Sequence, residues 1–237
     1  MTGADSVVYI TVPPAIDPRS ARDLSSAVQQ TLSSPATRVL VLSGGDGVFC
    51  KGLDVSVVKN SNVELKTSIA VLAEVLLMLR RASVAVISVV DGMALGGGLG
   101  LIAASDVAIA SDQSSFGLPE ALFGIAPAII LPFLLERMRP QELRLWMLSA
   151  YARPSSDALR AGLVDVIVPA GNLDRQTAHW VRQLSRTYAD GVGRVKRITA
   201  ESAGQTLEEA VRKGVETTSS LLNDSTVLQR FHNLISD

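Results

Sequence analysis

The run Val84–Val90 (VAVISVV) is apolar at every position but Ser88 and shows no alternation. A strand with one wet face alternates between apolar and polar residues. A strand without alternation is covered on both faces, as in a parallel sheet flanked by helices. The rest of the chain agrees. Val7–Val12, Arg38–Leu42, Val107–Ala110 and Leu163–Val168 read as further strands. Arg19–Leu32 and Glu64–Arg81 carry apolar residues at helical spacing, the second at Leu65, Ile69, Leu72, Leu76 and Leu79. Leu99–Ala104, Ile129–Met138, Pro140–Ala150 and Ser155–Ala161 also read as helices. Strands alternate with helices to about residue 168, which predicts right-handed βαβ crossovers. From Leu173 onward the pattern is helical only, in segments Leu173–Tyr188, Val192–Ser202, Leu207–Leu222 and Thr226–Ile235. The expected division is an α/β core over 1–170 and a helical region over 171–237.

Composition sets limits on function. With 237 residues, 47% hydrophobic but 4% aromatic, the core must be built of Ala, Val, Leu and Ile. A net charge of −1 offers no broad field for nucleic acid or an anionic membrane. The single cysteine, Cys50, permits no intrachain disulfide, which fits a reducing cytoplasm. The N-terminal residues lack a signal-peptide pattern. The most apolar stretch, Ser83–Ala110, is interrupted by Asp91, the Gly96–Gly98 run, Ser105 and Asp106, so no membrane span is expected. No His/Cys/Asp cluster has metal-ligand spacing, and no metal or bound cofactor is expected.

Chemistry concentrates in two segments, VLVLSGGDGVFCKGLD (39–54) and Ser83–Pro127. Each runs from a buried strand through glycine to the start of a helix. A helix start presents unpaired N–H groups. Two such starts facing one point would hold a developing oxyanion. Taken alone, Gly96–Gly98 could equally serve tight helix–strand packing. No Gly-Lys-Ser/Thr ending marks a phosphate loop, and no GxGxxG follows the first strand.

Together the two segments, followed by FGLPE (116–120) and GIAP (124–127), resemble the paired signature of the crotonase (enoyl-CoA hydratase/isomerase) superfamily. The resemblance implies a ββα spiral of βαβ turns with a C-terminal helical trimerisation region, giving a trimer or hexamer. It puts the oxyanion-hole N–H groups at Leu53 and Gly97, the acid/base at Glu120, and substrate contacts at Cys50, Gly96, Gly98, Leu118 and Phe123. The acyl group would be carried on CoA or on the phosphopantetheine of an acyl carrier protein. Two departures stand out. The superfamily's second glutamate position is Gly100 here. The glycine-rich stretch that usually follows GxxP is replaced by Ala128-Ile129-Ile130-Leu131-Pro132. With GGLGLIAASD and VFCKGLD, this looks most like the dehydratases of polyketide β-branching cassettes, which dehydrate a 3-hydroxy-3-methylglutaryl group on a carrier protein. Double-bond isomerisation, general enoyl-CoA hydration and a non-catalytic assembly role are the alternatives.

Other residues have plainer readings. Asp54 reads as a cap for a helix over Val55–Val58, or as a second acid lining the pocket. No His lies near Cys50 in sequence to activate it, so it reads as a small core or pocket residue. His179 reads as surface, and His232 could reach a pocket only if the tail folds over it. Lys51 and Lys59 could meet phosphates, but ordinary solvation is the simpler role. Asp106 reads as orienting its turn. Leu118, Leu122, Phe123 and Ile125 are expected to form apolar surroundings that raise the Glu120 pKa.

Overall fold

The computed structural model describes residues 6–54 and 62–235. The predicted Val55–Val58 helix and Lys59 lie outside these residues, as does the side chain of His232. By its internal contacts the chain divides into two compact units, Met1–Arg194 and Val195–Asp237.

The first unit is built on five parallel strands in the order β1-β2-β4-β6-β9, namely β1 (Val7–Thr11), β2 (Val39–Ser43), β4 (Ala85–Val90), β6 (Val107–Ser111) and β9 (Val166–Val168). A second sheet holds the short strands β3 (Val48–Cys50), β5 (Met93–Leu95), β7 (Ser115–Gly117) and β8 (Arg153–Pro154), the last antiparallel to β7. From β2 to β7 the chain lays one strand in the large sheet and the next in the small one, and the first two such pairs then return through a helix. β2 and β3 are followed by α2 (Asn62–Arg81), and β4 and β5 by α3 (Gly97–Ala104). This is the expected ββα spiral. The short strands β3, β5 and β7 of the small sheet had no signal in the sequence. They are too short for a period of two to register, and glycine dominates their flanks.

The two faces of the large sheet explain its non-alternating strands. Leu40, Leu42, Val86 and Ala108 pack with Leu72, Leu76, Phe49 and Phe116 on one side. Val39, Val41, Ala85, Ile87, Val107 and Ile109 pack on the other, against Leu173, Trp180, Val181 and Leu184 of α7 (Leu173–Leu184). The helical region was expected to begin at residue 171, where strands end. Its first helix nonetheless serves as the outer cover of the sheet and falls within the first unit, because a sheet buried on both faces needs helices on both.

Helix α1 (Pro18–Ser33) packs on α2. Asp17 caps α1, accepting the Arg19 and Ser20 N–H groups at 2.9 and 2.7 Å. Ser20 returns a bond to the Asp17 N–H at 2.9 Å. The predicted Ile129–Met138 helix is shorter in the structure. Only α4 (Leu131–Leu135) is α-helical there, followed by α5 (Pro140–Ser149) and α6 (Ser155–Ala161). Asp106 does orient its turn, accepting the Val86 N–H at 2.7 Å and tying β4 to the end of α3.

The second unit opens within α8 (Ala189–Ser202) and contains α9 (Leu207–Leu222) and α10 (Ser225–Ile235). Thr206 and Glu209 form a reciprocal capping box at the start of α9. Leu207, Val211, Val215 and Leu222 of α9 are exposed. Among the described residues no helix is long and apolar enough to cross a membrane.

Candidate active site

Both glycine segments converge where the small sheet meets the start of α3. Strand β3 leads into Gly52, whose φ of +78° is open to glycine at little cost. The chain then bridges to Ile16, whose N–H donates to Gly52 O at 2.8 Å and whose carbonyl accepts the Asp54 N–H at 2.9 Å. In a parallel bridge the intervening residue turns its N–H the other way. The Leu53 amide is that residue. On the facing side, β5 leads into Gly96 (φ +48°), held by its N–H donating to Gly117 O at 3.0 Å. Gly97 opens α3, so its N–H has no intrahelical acceptor.

The two amides are close. A Cβ placed on Gly52 would stand 2.6 Å from the Gly97 nitrogen, and one placed on Gly97 would stand 3.9 Å from the Leu53 nitrogen. Glycine at 52 and 97 is what lets the segments approach. Gly98 meets the back of β3, where a Cβ would lie 3.1 Å from Cys50 Cβ. Cys50 is fully buried, and its Sγ accepts the Gly52 N–H at 3.4 Å. Burial pushes the thiol up to about 11, against the opposing pull of that Gly52 bond. The sulfur is therefore protonated at neutral pH and serves the turn rather than reacting.

Glu120 completes the site. Pro119 opens a 3₁₀ turn, Pro119–Phe123, that Gly124 closes in the left-handed region. The carboxyl lies against Gly96, where a Cβ would stand 2.8 Å from Oε1. Oε2 is buried and has no hydrogen-bond partner. Burial raises the Glu120 pKa, and a bond from its own backbone N–H opposes the rise only in part. A carboxylate with an unpartnered oxygen in such a place is a strengthened base.

The apolar surroundings differ from expectation. Leu118 is buried, but Leu122, Phe123 and Ile125 are 71%, 63% and 56% exposed. One 3₁₀ turn cannot bury all its side chains, and this one turns Glu120 inward instead. Hydrocarbon at the hole comes from elsewhere in the chain, as in Leu72 of α2, whose Cδ2 would lie 2.9 Å from a Cβ on Gly97. Asp54 is half-buried beside Leu53, while Lys51 is exposed. His179 is exposed, its ring edge-on to Trp180 at 6.0 Å. Among the described residues no group of three or more His, Cys, Asp or Glu is placed to hold a metal ion.

Two amides at one place beside a half-buried carboxyl suit enzymes that polarise a carbonyl while moving a proton on the neighbouring carbon. The chain belongs to the enoyl-CoA hydratase/isomerase family, matching it over residues 4–231. It is 34% identical to the bacillaene synthase dehydratase PksH of Bacillus subtilis over 171 residues, covering 68% of this chain and 64% of PksH. It is 31% identical to the mevalonyl-coenzyme A hydratase sidH of Aspergillus fumigatus over 194 residues, covering 81% of this chain and 69% of sidH. The fold superposes on an enoyl-CoA hydratase of Mycobacterium smegmatis with a TM-score of 0.89, at 20% identity over 99% of this chain and 94% of that one. The protein is an enzyme of the hydratase/dehydratase type that acts on acyl thioesters.

Proposed function

We propose that the enzyme dehydrates a 3-hydroxyacyl thioester, with the 3-hydroxy-3-methylglutaryl group on an acyl carrier protein as the substrate and polyketide β-branching as the setting. The observation that carries this reading is the Glu120 carboxyl, buried and unpartnered at Oε2, against Gly96 and next to the Gly97 amide. The thioester oxygen accepts the Leu53 and Gly97 N–H groups. Glu120 removes the α-proton, and the C–H electron pair becomes the Cα=Cβ bond. The β C–O bond breaks, its electrons pass to oxygen, and that oxygen takes the proton from Glu120 and leaves as water. Glu120 ends as it began, so one carboxyl serves both steps. Each amide donor contributes on the order of 3–4 kcal/mol in the transition state. The likeness to PksH, a dehydratase of bacillaene synthase, supports the polyketide setting. Glycine at position 100 removes a second carboxyl, which also suits a double-bond isomerase that moves one proton between two carbons.

No resident cofactor is required, since the acyl carrier supplies the thioester. Self-association to a trimer or hexamer is supported by the exposed apolar side chains of α9. A cytoplasmic location accords with a single, reduced thiol.

The test is turnover of 3-hydroxy-3-methylglutaryl thioesters on CoA and on carrier protein side by side, followed by mass and ultraviolet absorbance. Glu120→Gln should lower the rate by roughly 10²–10⁴ while leaving thioester binding intact. Asp54→Asn should have the smaller effect. A mild Glu120→Gln defect beside a severe Asp54→Asn defect, both in folded protein, would move the acid/base to Asp54.

A further inference from the structure

The Gly97 amide stays in place only if α3 does. The eight residues of α3, Gly-Gly-Leu-Gly-Leu-Ile-Ala-Ala, are all buried and carry no polar side chain. Hydrocarbon contact is non-directional. It holds a helix against its neighbours without fixing where the helix stands along its own axis. Hydrogen bonds at the ends must set that register. Ser105 closes α3 about 12 Å from Gly97, at a rise of about 1.5 Å per residue. The Ser105 Oγ donates to Leu101 O at 2.9 Å and lies 2.7 Å from Ser88 Oγ on β4. The Ser105 carbonyl accepts Nη2 of Arg137 at 2.7 Å. Arg137 lies in the turn between α4 and α5, with its side chain 13% exposed. Its Nη1 donates to both carboxylate oxygens of Asp165, at 3.2 and 3.1 Å, and to Leu163 O at 3.3 Å. Asp165 Oδ2 accepts the Ala108 N–H at 2.7 Å, and the Asp165 N–H donates to Ala108 O at 2.9 Å. One guanidinium thus joins the end of α3 to β6 and to the chain entering β9.

We propose that Arg137 is a positioning residue for the oxyanion hole: by clamping the Ser105 carbonyl to Asp165 it fixes α3 along its axis and keeps the Gly97 amide in reach of the thioester oxygen. The inference rests on the assignment of the hole to Leu53 and Gly97. A planar guanidinium that grips a carboxylate on one side and a carbonyl on the other sets the distance between them. A lysine ammonium, a point charge on a flexible stem, keeps the charge but not that geometry. The preceding residue supplies a contrast. Glu136 accepts Arg80 Nε at 2.6 Å, an ion pair that ties the same turn to α2 rather than to α3.

The experiment measures kcat and KM on a hydroxyacyl thioester for Arg137→Met, Arg137→Lys and Glu136→Gln, each scaled to the folded fraction in a urea melt. A misplacement of about 1 Å costs roughly 10²-fold in rate. With Ser88 and Asp106 still holding the same end, Arg137→Met should lower kcat by roughly 10-fold and leave KM near native. Arg137→Lys should fail to restore it. Glu136→Gln should lose Tm and keep kcat. If Arg137→Met does not fold, Asp165→Asn replaces it, since an amide oxygen still accepts the Ala108 N–H while the grip on the guanidinium weakens; kcat should again fall. A second readout needs no turnover. Butanoyl-CoA has no β-hydroxyl and no double bond, so it binds without being hydrated or dehydrated. Isotope-edited infrared of its carbonyl should show a lowered stretch in the native enzyme and Glu136→Gln, and a smaller lowering in both Arg137 variants. Native kcat in folded Arg137→Met or Asp165→Asn, full rescue by lysine, or an equal kcat loss in Glu136→Gln overturns the inference. If the native enzyme lowers the stretch and the Arg137 variants lower it as much, the hole stands and only the role of Arg137 falls. If the native enzyme leaves the stretch unmoved, the hole falls and takes this inference with it.

Discussion

Gly52→Ala tests whether the approach of the two glycine segments is what makes the hole. The added methyl faces the backbone on two sides, 2.6 Å from Gly97 N and 3.0 Å from Leu95 O, so no side chain can turn aside to admit it. Restoring ordinary contact, at 3.4 Å or more, requires the Leu53 and Gly97 segments to part by ~0.8 Å. Alanine at φ +78° adds about 1–2 kcal/mol of backbone strain. Two donors separated by that further distance cannot both reach one oxygen at hydrogen-bond length. Loss of one such donor lowers kcat by roughly 10²–10³. The assay is kcat and KM on a hydroxyacyl thioester, paired with a urea melt to count the folded fraction. The loss should fall on kcat, because charge on the oxygen grows only in the transition state. Gly45→Ala is the control, since its methyl meets nothing within 4 Å. A folded Gly52→Ala enzyme with kcat within about threefold of native would refute the link between spacing and rate.

Four further outcomes are expected. Gly97→Pro removes the α3 amide at the first helical position, where the proline ring crowds Leu72 but fits the helix backbone, so turnover should vanish in the fraction that circular dichroism shows to be folded. Because burial raises the Glu120 pKa, the acid limb of the kcat/KM profile should lie above the ordinary carboxylate range. A raised folded pKa also means that stability is greatest below the unfolded value and falls as pH rises through the folded one. Glu120→Gln should therefore melt higher than the native enzyme at neutral pH, with the gap closing in acid; equal melting temperatures at neutral pH would contradict it. Sedimentation at micromolar concentration should show a trimer or hexamer, and Val211→Glu with Val215→Glu, both exposed on α9, should shift it toward monomer.

What could be read from the sequence was what repeats or alternates. The non-alternating Val84–Val90 run required a sheet buried on both faces, and both cores formed around it. The glycine segments marked where backbone comes close to backbone: a Cβ on Gly97 would lie 3.9 Å from Leu53 N, and the Glu120 carboxyl lies against Gly96. Spacing along the chain could not say what lies across from a residue. Leu122, Phe123 and Ile125 were expected around Glu120 because they are its sequence neighbours, yet they face outward. Residues more than twenty positions away, Leu72 and Leu76 of α2, help wall the α3 start. Gly100 and the stretch containing Ile130 were visible as two separate departures from a family pattern. Only the tertiary fold decided that they are one, because the Ile130 Cγ2 methyl fills the space that a side chain at position 100 would need, and a close-packed interior cannot hold both.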